Sequence, residues 1–178
     1  MTKHIPQSTL DELAAQEQQL LTQIGAATGT LEQRTTQLEQ QGIFEQYNAI
    51  YAAYGRIAAK HVEALKRGIF LLWYADAEPC AFTGLRNLDA AATHKILNTF
   101  NRRLKLDITD YEMQWMLSYY NSWDYLFASY IDYPHFLEWM NTKATESLPD
   151  SIDRENMAQR GQMGAYWNSL DRFGGGEK

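Results

Sequence analysis

His61 lies four residues after Ile57 and four before Leu65, in a run of apolar residues at helical spacing, and Asp124 stands one turn from Tyr120 and from Phe127. A carboxylate or an imidazole on an apolar helix face is costly to bury unless it is paired. If these two meet, both pKa values shift toward acid–base work. His61 and Asp124 are therefore the candidate buried polar pair, weighed against the plainer reading of a satisfied structural contact. His135 and Glu138, spaced i,i+3, can face one metal from a single helical turn, with Glu45, His61 or His94 completing a set. Carboxylate-bridged dimetal bundles use two Glu-x-x-His pairs and two further glutamates. This chain has one pair in the reverse order, so His135 and Glu138 stay weak candidates and no metal is assigned. Cys80 beside Pro79 reads as a small buried side chain, and a single cysteine forms no internal disulfide. No G-x-S-x-G, P-loop or G-x-G-x-x-G occurs. No catalytic residue and no cofactor is assigned, and the reading leans away from an enzyme.

The region between Leu106 and Thr142 carries six acids and eleven aromatics and no Lys or Arg. Rings cover much apolar area at low entropic cost, and acids without basic neighbours repel phosphate. The segment therefore reads as core or protein-binding surface, and nucleic acid is not expected as a partner. Tyr111, Trp115, Tyr119 and Tyr125 fall away from the main apolar stripe, so they are expected to form an exposed acidic, aromatic patch for a basic or apolar protein surface. The competing expectation is a second helix layer of the same molecule covering them.

With 45% apolar and 21% charged residues over 178 positions, the composition suits one globular core. No apolar run is long enough for a membrane span, and the N-terminal residues lack a secretory h-region, so the expectation is a cytoplasmic protein without membrane association. The charge of −6 comes chiefly from residues 111–178, which hold five basic and ten acidic groups. Arg102, Arg103 and Lys105 cluster where a helix should end, which suits the macrodipole.

The elements that must position these residues read as helices throughout. Ser8 or Thr9, with the acids three residues on, predicts a capped start. Leu10, Leu13, Leu20, Ile24, Ala27, Leu31 and Leu38 then keep heptad spacing, interrupted by Glu17 and Arg34. Thr30 with Gln33 offers a second capping box, so residues 8–41, rich in glutamine, form a hairpin or one coiled-coil-like helix. Steps of three and four from Ile43 to Leu71 predict one long helix over 43–76, closed by Glu78-Pro79. Further helices are expected over 88–104, over 109–132 with Thr109 and Glu112 as a third capping box, from Pro134 to about Lys143, and from Ser151 or Asp150 onward.

The expected fold is all-α, a bundle of five to seven helices. An accessory segment 1–41 precedes a single domain 42–173 and a glycine-rich tail 174–178. Three functions compete. The first is a non-enzymatic interaction module that docks a protein partner through the acidic aromatic face and self-associates through the N-terminal helix. The second is a bundle with an internal pocket for a small apolar ligand, and the third is a metal or acid–base enzyme.

Overall fold

The computed structural model describes residues 7–122, 132–142, 148–171 and 173, and everything within them is helix, turn or loop. In chain order the helices are α1 (Gln7–Ala26), α2 (Leu31–Gln40), α3 (Ile43–Ile57), α4 (Val62–Ala77), α5 (Cys80–Thr83), α6 (Ala90–Lys105), α7 (Tyr111–Tyr120), α8 (Pro134–Thr142), α9 (Arg154–Ala158) and α10 (Gly161–Ser169). The all-α class is as read from the sequence. There are ten helices among the described residues rather than five to seven, because several expected rods break in two.

α4 is the axis. Ala64 to Trp73 are buried without interruption, Lys66 and Arg67 included, so this helix is covered on every side. α3 and α6 run parallel beside it. Tyr51 Oη meets Thr93 Oγ1 at 3.0 Å, Asn48 binds the Arg86 and Asn87 carbonyls and the Asp89 amide, and Gly55 lies directly on Ala92. α8 rests on α6: the Asn101 Oδ1 accepts from the amides of His135 and Phe136, capping a helix that Pro134 begins. Phe100 and Phe136 meet edge to face across this contact.

The rod expected over 43–76 is interrupted at 58–61. His61 has an extended backbone, with φ −134 and ψ 107, and stands at the N-cap of α4. Its half-buried side chain is therefore at a corner, not on a continuous apolar seam. The regular three-and-four spacing survives because α3 and α4 each bury one face at the two sides of the turn. Asp124, its expected partner, lies outside the described residues.

The N-terminal segment is less separate than its composition suggests. Leu10, Leu13, Leu20 and Ile24 of α1 belong to the same core cluster as Trp73 and Phe100. The heptad face is thus occupied by the protein's own helices. α1 already includes Ser8 and Thr9, so neither caps it. Arg34, one of the two seam-breakers, donates to the carbonyls of Ile24, Ala27 and Ala81 and so closes the C-terminal end of α1. The capping box at Thr30 and Gln33 is formed as expected, and α2 is a helix distinct from α1.

Two further starts differ. α7 is capped by Asp110, whose Oδ1 accepts from the Met113 amide at 2.8 Å, while Thr109 Oγ1 accepts from Gln114 instead. The last helix is two: α9, capped by Asp153, and α10, separated by Gly161 at φ +60. A Cβ on Gly164 would fall 1.6 Å from the Met157 carbonyl oxygen, so α9 and α10 touch backbone to backbone. The aromatic helix is described to Tyr120 with one 3₁₀ turn after it; the remainder of the expected 109–132 span is outside the described residues apart from its last residue.

Candidate functional site

Two regions stand apart from the ordinary core, a buried charge interlock and an exposed corner. The interlock begins in α4, whose Glu63, Lys66 and Arg67 are spaced i, i+3, i+4 and so share one side of the helix. Arg160, between α9 and α10, grips two carboxylates at once. Its Nε and Nη2 donate to Glu63 at 2.7 and 2.6 Å, and its Nη1 and Nη2 donate to Glu112 at 2.7 and 2.9 Å. The remaining N–H meets Met157 Sδ at 3.3 Å, so all five guanidinium donors are used. Lys66 Nζ adds 2.6 Å to Glu112 and 2.8 Å to Asp110, and Arg67 Nε reaches Glu63 at 2.8 Å.

The acids of this network sit at helix N-termini, where the macrodipole favours them: Glu63 in the first turn of α4, Asp110 and Glu112 at the start of α7. Burial alone would raise the Glu112 carboxyl, yet hydrogen bonds and charge from Arg160, then Lys66, hold it at about 2. Glu63 is likewise lowered, burial being outweighed by Arg160 and Arg67. Burial acts on Arg160 in the opposite sense, and its two carboxylates more than offset it, so its pKa is raised.

Glu17 extends the network to α1 and α3. It is 1% exposed and holds the N-terminus of α10, accepting from the Gln162 amide at 2.8 Å and bonding Tyr54 Oη, which in turn accepts from Arg67 Nη1 at 3.3 Å. Here burial prevails: it pushes Glu17 up to about 7 against hydrogen bonds from Tyr54 and Gln162 and the charge of Arg67. Gly161 makes this seat possible, because any Cβ there would lie 2.6 Å from the Glu17 carboxyl. Sequence reading took Glu17 and Arg34 as flaws in a heptad seam. Both close helix ends, Glu17 inside the core and Arg34 half-buried at its edge, and a charged residue on an otherwise apolar seam was the available signal.

Beside the interlock the rings pack on one another. Trp73 stacks on Tyr120 at 4.7 Å, Trp115 meets Trp167 edge to face at 4.8 Å, and Tyr119 Oη bonds Tyr166 Oη at 2.6 Å. Of the four expected patch residues, Trp115 is only 3% exposed, Tyr119 is half-buried, Tyr111 is 56% exposed, and Tyr125 lies outside the described residues. α10 and Phe173 supply the second layer over Trp115. Of the acids expected beside the patch, Asp110 and Glu112 are engaged by Lys66 and Arg160. The local absence of basic residues is made good from distant parts of the chain.

What stays outside is the corner joining α6 to α7. Leu106 is 54% and Ile108 49% exposed, alongside Tyr111. The corner is held in one shape. Asp107 takes φ +54, its amide bonds the Leu104 carbonyl at 3.1 Å, and the Ile108 amide bonds the Arg103 carbonyl at 3.1 Å, the paired bonds of a Schellman motif with aspartate in the usual glycine place. Such motifs commonly rest the residue after the turn on an apolar side chain of the helix. Here the facing residues are Arg102 and Arg103, and Ile108 is left in water. An open cleft of about 390 Å³ lies against this corner, between Ala59 at the end of α3, Asn98 and Thr99 of α6, and Leu106 with Ile108.

The other candidates remain apart. Among the described residues no group of three or more His, Cys, Asp or Glu is placed to hold a metal. His135 Nδ1 lies 3.7 Å from Glu138 Oε2 as a surface pair, and His94 Nδ1 bonds Tyr133 Oη at 2.8 Å. Cys80 is half-buried in an open cleft of about 410 Å³ with Asp76, Arg86 and Thr93. The interior gap beside the rings, between Lys66, Phe100, Met113 and Tyr120, measures about 10 Å³, too little for a ligand. No helix among the described residues is long and apolar enough to cross a membrane. No known family matches the chain, and comparison with curated proteins and with solved structures finds no similar protein.

Proposed function

We propose that this protein is a non-enzymatic helical interaction module of the cytoplasm that binds a protein partner through the α6–α7 corner. One observation carries the reading: of the five large apolar side chains exposed among the described residues, Leu106, Ile108 and Tyr111 fall within six residues on a hydrogen-bonded turn, while the other two, Leu31 and Phe82, lie elsewhere in the chain. Apolar side chains held on a fixed turn lose little entropy on binding, and covering the exposed half of each gains roughly 1 kcal/mol. Self-association through the heptad face of α1 does not enter the proposal, because Leu10, Leu13, Leu20 and Ile24 are already packed within the molecule. The buried interlock supports a binding role over a catalytic one: its carboxylates and guanidinium groups are directed at one another, and Glu17 has no route to a substrate.

Site-specific photo-crosslinking tests this. With a benzophenone amino acid at position 108 in the producing cells, a discrete protein adduct is expected, and the same probe at exposed Glu155 should give none. Equal adducts at both sites, or none at 108, would overturn the proposal.

A further inference from the structure

We infer, on the strength of that reading, that the segment docked at the corner is acidic as well as apolar, the reverse of the basic partner that the sequence suggests. α3 and α6 are parallel, so their C-terminal ends lie at the same side of the molecule. Arg102 and Arg103 line the cleft and Lys105 follows them in the last turn of α6; across from them, Ala59 of the cleft is flanked in the chain by Lys60 and by Arg56 in the last turn of α3. Arg56, Lys60, Arg102 and Lys105 have no ion-pair partner among the described residues. Arg103 gives one N–H to the Ile108 carbonyl at 2.8 Å, and its Nε–H is buried without an acceptor. Of the acids nearest in the chain, Asp110 is already bound to Lys66, leaving Asp107 alone to oppose five cations.

A partner that covers Leu106 and Ile108 must therefore bring carboxylates to this rim or leave its charges unanswered. An amphipathic helix would meet both needs, with apolar side chains entering the cleft beside Leu106 and Ile108 and acids facing Arg102 and Lys105. Phosphate alone would answer the cations but not the apolar side chains. A lipid surface is flat, whereas Arg102 and Arg103 here line a concavity of about 390 Å³ together with Leu106 and Ile108. A peptide segment satisfies both features.

The test uses the full chain and a synthetic peptide of about fifteen residues, labelled with fluorescein, with leucine at i, i+3, i+4 and i+7 and glutamate elsewhere. A lysine-for-glutamate analogue, anionic phosphatidylserine vesicles and a single-stranded oligonucleotide are run beside it. Expected is saturable binding of the acidic peptide, weakened at least about tenfold by R102E with K105E and, separately, by L106S with I108S. The lysine analogue should bind at least about tenfold more weakly. All four positions are exposed or half-buried at a surface turn, and circular dichroism verifies that each variant keeps its helices.

Equal binding of the lysine analogue, indifference to either variant, or binding of vesicles or oligonucleotide in place of the peptide would each overturn the inference. The two levels separate cleanly. A discrete adduct at position 108 with no binding of the acidic peptide rejects the partner's charge but keeps the docking corner. Peptide binding without any adduct rejects the docking function in the cell.

Discussion

The interlock around Arg160 and the corner at Leu106 contain the same kinds of residue, cations beside acids and apolar side chains, and end in opposite states. At the interlock every charge is paired, mostly between elements far apart in the chain, with Arg160 using all five donors on Glu63, Glu112 and Met157 and only Arg67 pairing within its own helix. At the corner the cations belong to two helix ends that point the same way, and no described helix approaches with acids to meet them. Charge pairing in this fold is decided by which helix ends converge: N-termini carrying acids meet basic residues from the middle of the chain, whereas two C-termini side by side share a sign. The first arrangement closes the molecule, and the second leaves it a surface to fill.

The largest expected effect comes from breaking the closed region. Arg160→Met removes the buried cation shared by two partly exposed carboxylates, 22% and 30% exposed, which keep Arg67 and Lys66 as partners, and a loss of about 3 kcal/mol in denaturant unfolding is expected. A loss below about 1 kcal/mol would mean that the remaining cations and water satisfy Glu63 and Glu112 without it. Next comes Glu17. Its folded pKa of about 7 stands above its ordinary 4.5, so the stability it confers is complete below about pH 4.5 and falls as the pH rises through 7. The shift corresponds to about 3 kcal/mol. Glu17→Gln keeps an acceptor for the Gln162 amide but sets an NH2 against the Tyr54 hydroxyl, which donates to Glu17 in the native protein; that cost does not depend on pH, so the difference in unfolding free energy between the two proteins should still move by about that amount between pH 4.5 and pH 8, in favour of the variant at high pH. A constant difference would show that Glu17 is ionised throughout.

Glu112 slopes the other way. With its carboxyl held at about 2, the stability it confers is present above its ordinary 4.5 and disappears as the pH falls through 2. Glycine at 161 sharpens the same region: Gly161→Ala forces a positive φ on alanine, worth about 1–2 kcal/mol, and sets a Cβ 2.6 Å from Glu17. The second part should vanish when Glu17 is also made alanine, so the double-mutant cycle is expected to be non-additive. The smallest effect belongs to the corner. Leu106→Ser and Ile108→Ser should each change stability by less than about 0.5 kcal/mol, since water already covers these side chains.

The helices were largely legible because apolar spacing and capping residues are local. The box at Thr30 and Gln33, the Pro134 start and the basic last turn of α6 all stand where the sequence puts them. What escaped depends on residues far apart in the chain. The break at His61 leaves no mark in the three-and-four spacing, since two helices packed in succession can keep the same phase across a turn. Asp110 displaced Thr109 as a cap because its second oxygen also answers Lys66, 44 positions away. Trp115 could be placed on a face from its spacing, but not beneath Trp167 and Phe173 of the last helix and tail. The basic-free stretch was read as a surface for the same reason: its bases are Lys66 and Arg160, on neighbours only the fold provides.

Hydroxyl-radical footprinting of the intact native protein, resolved side chain by side chain, tests most directly whether the described aromatic helix, 111–120, buries Trp115 under the last helix while Tyr111 stays in water at the corner. Tyr111 should be oxidised at least about ten times faster than Trp115 or Trp167, given exposures of 56% against 3% and 0%. Oxidation of Trp115 at a rate similar to that of Tyr111 would contradict the account, because the segment would then face water along its length and the corner would lose its distinction.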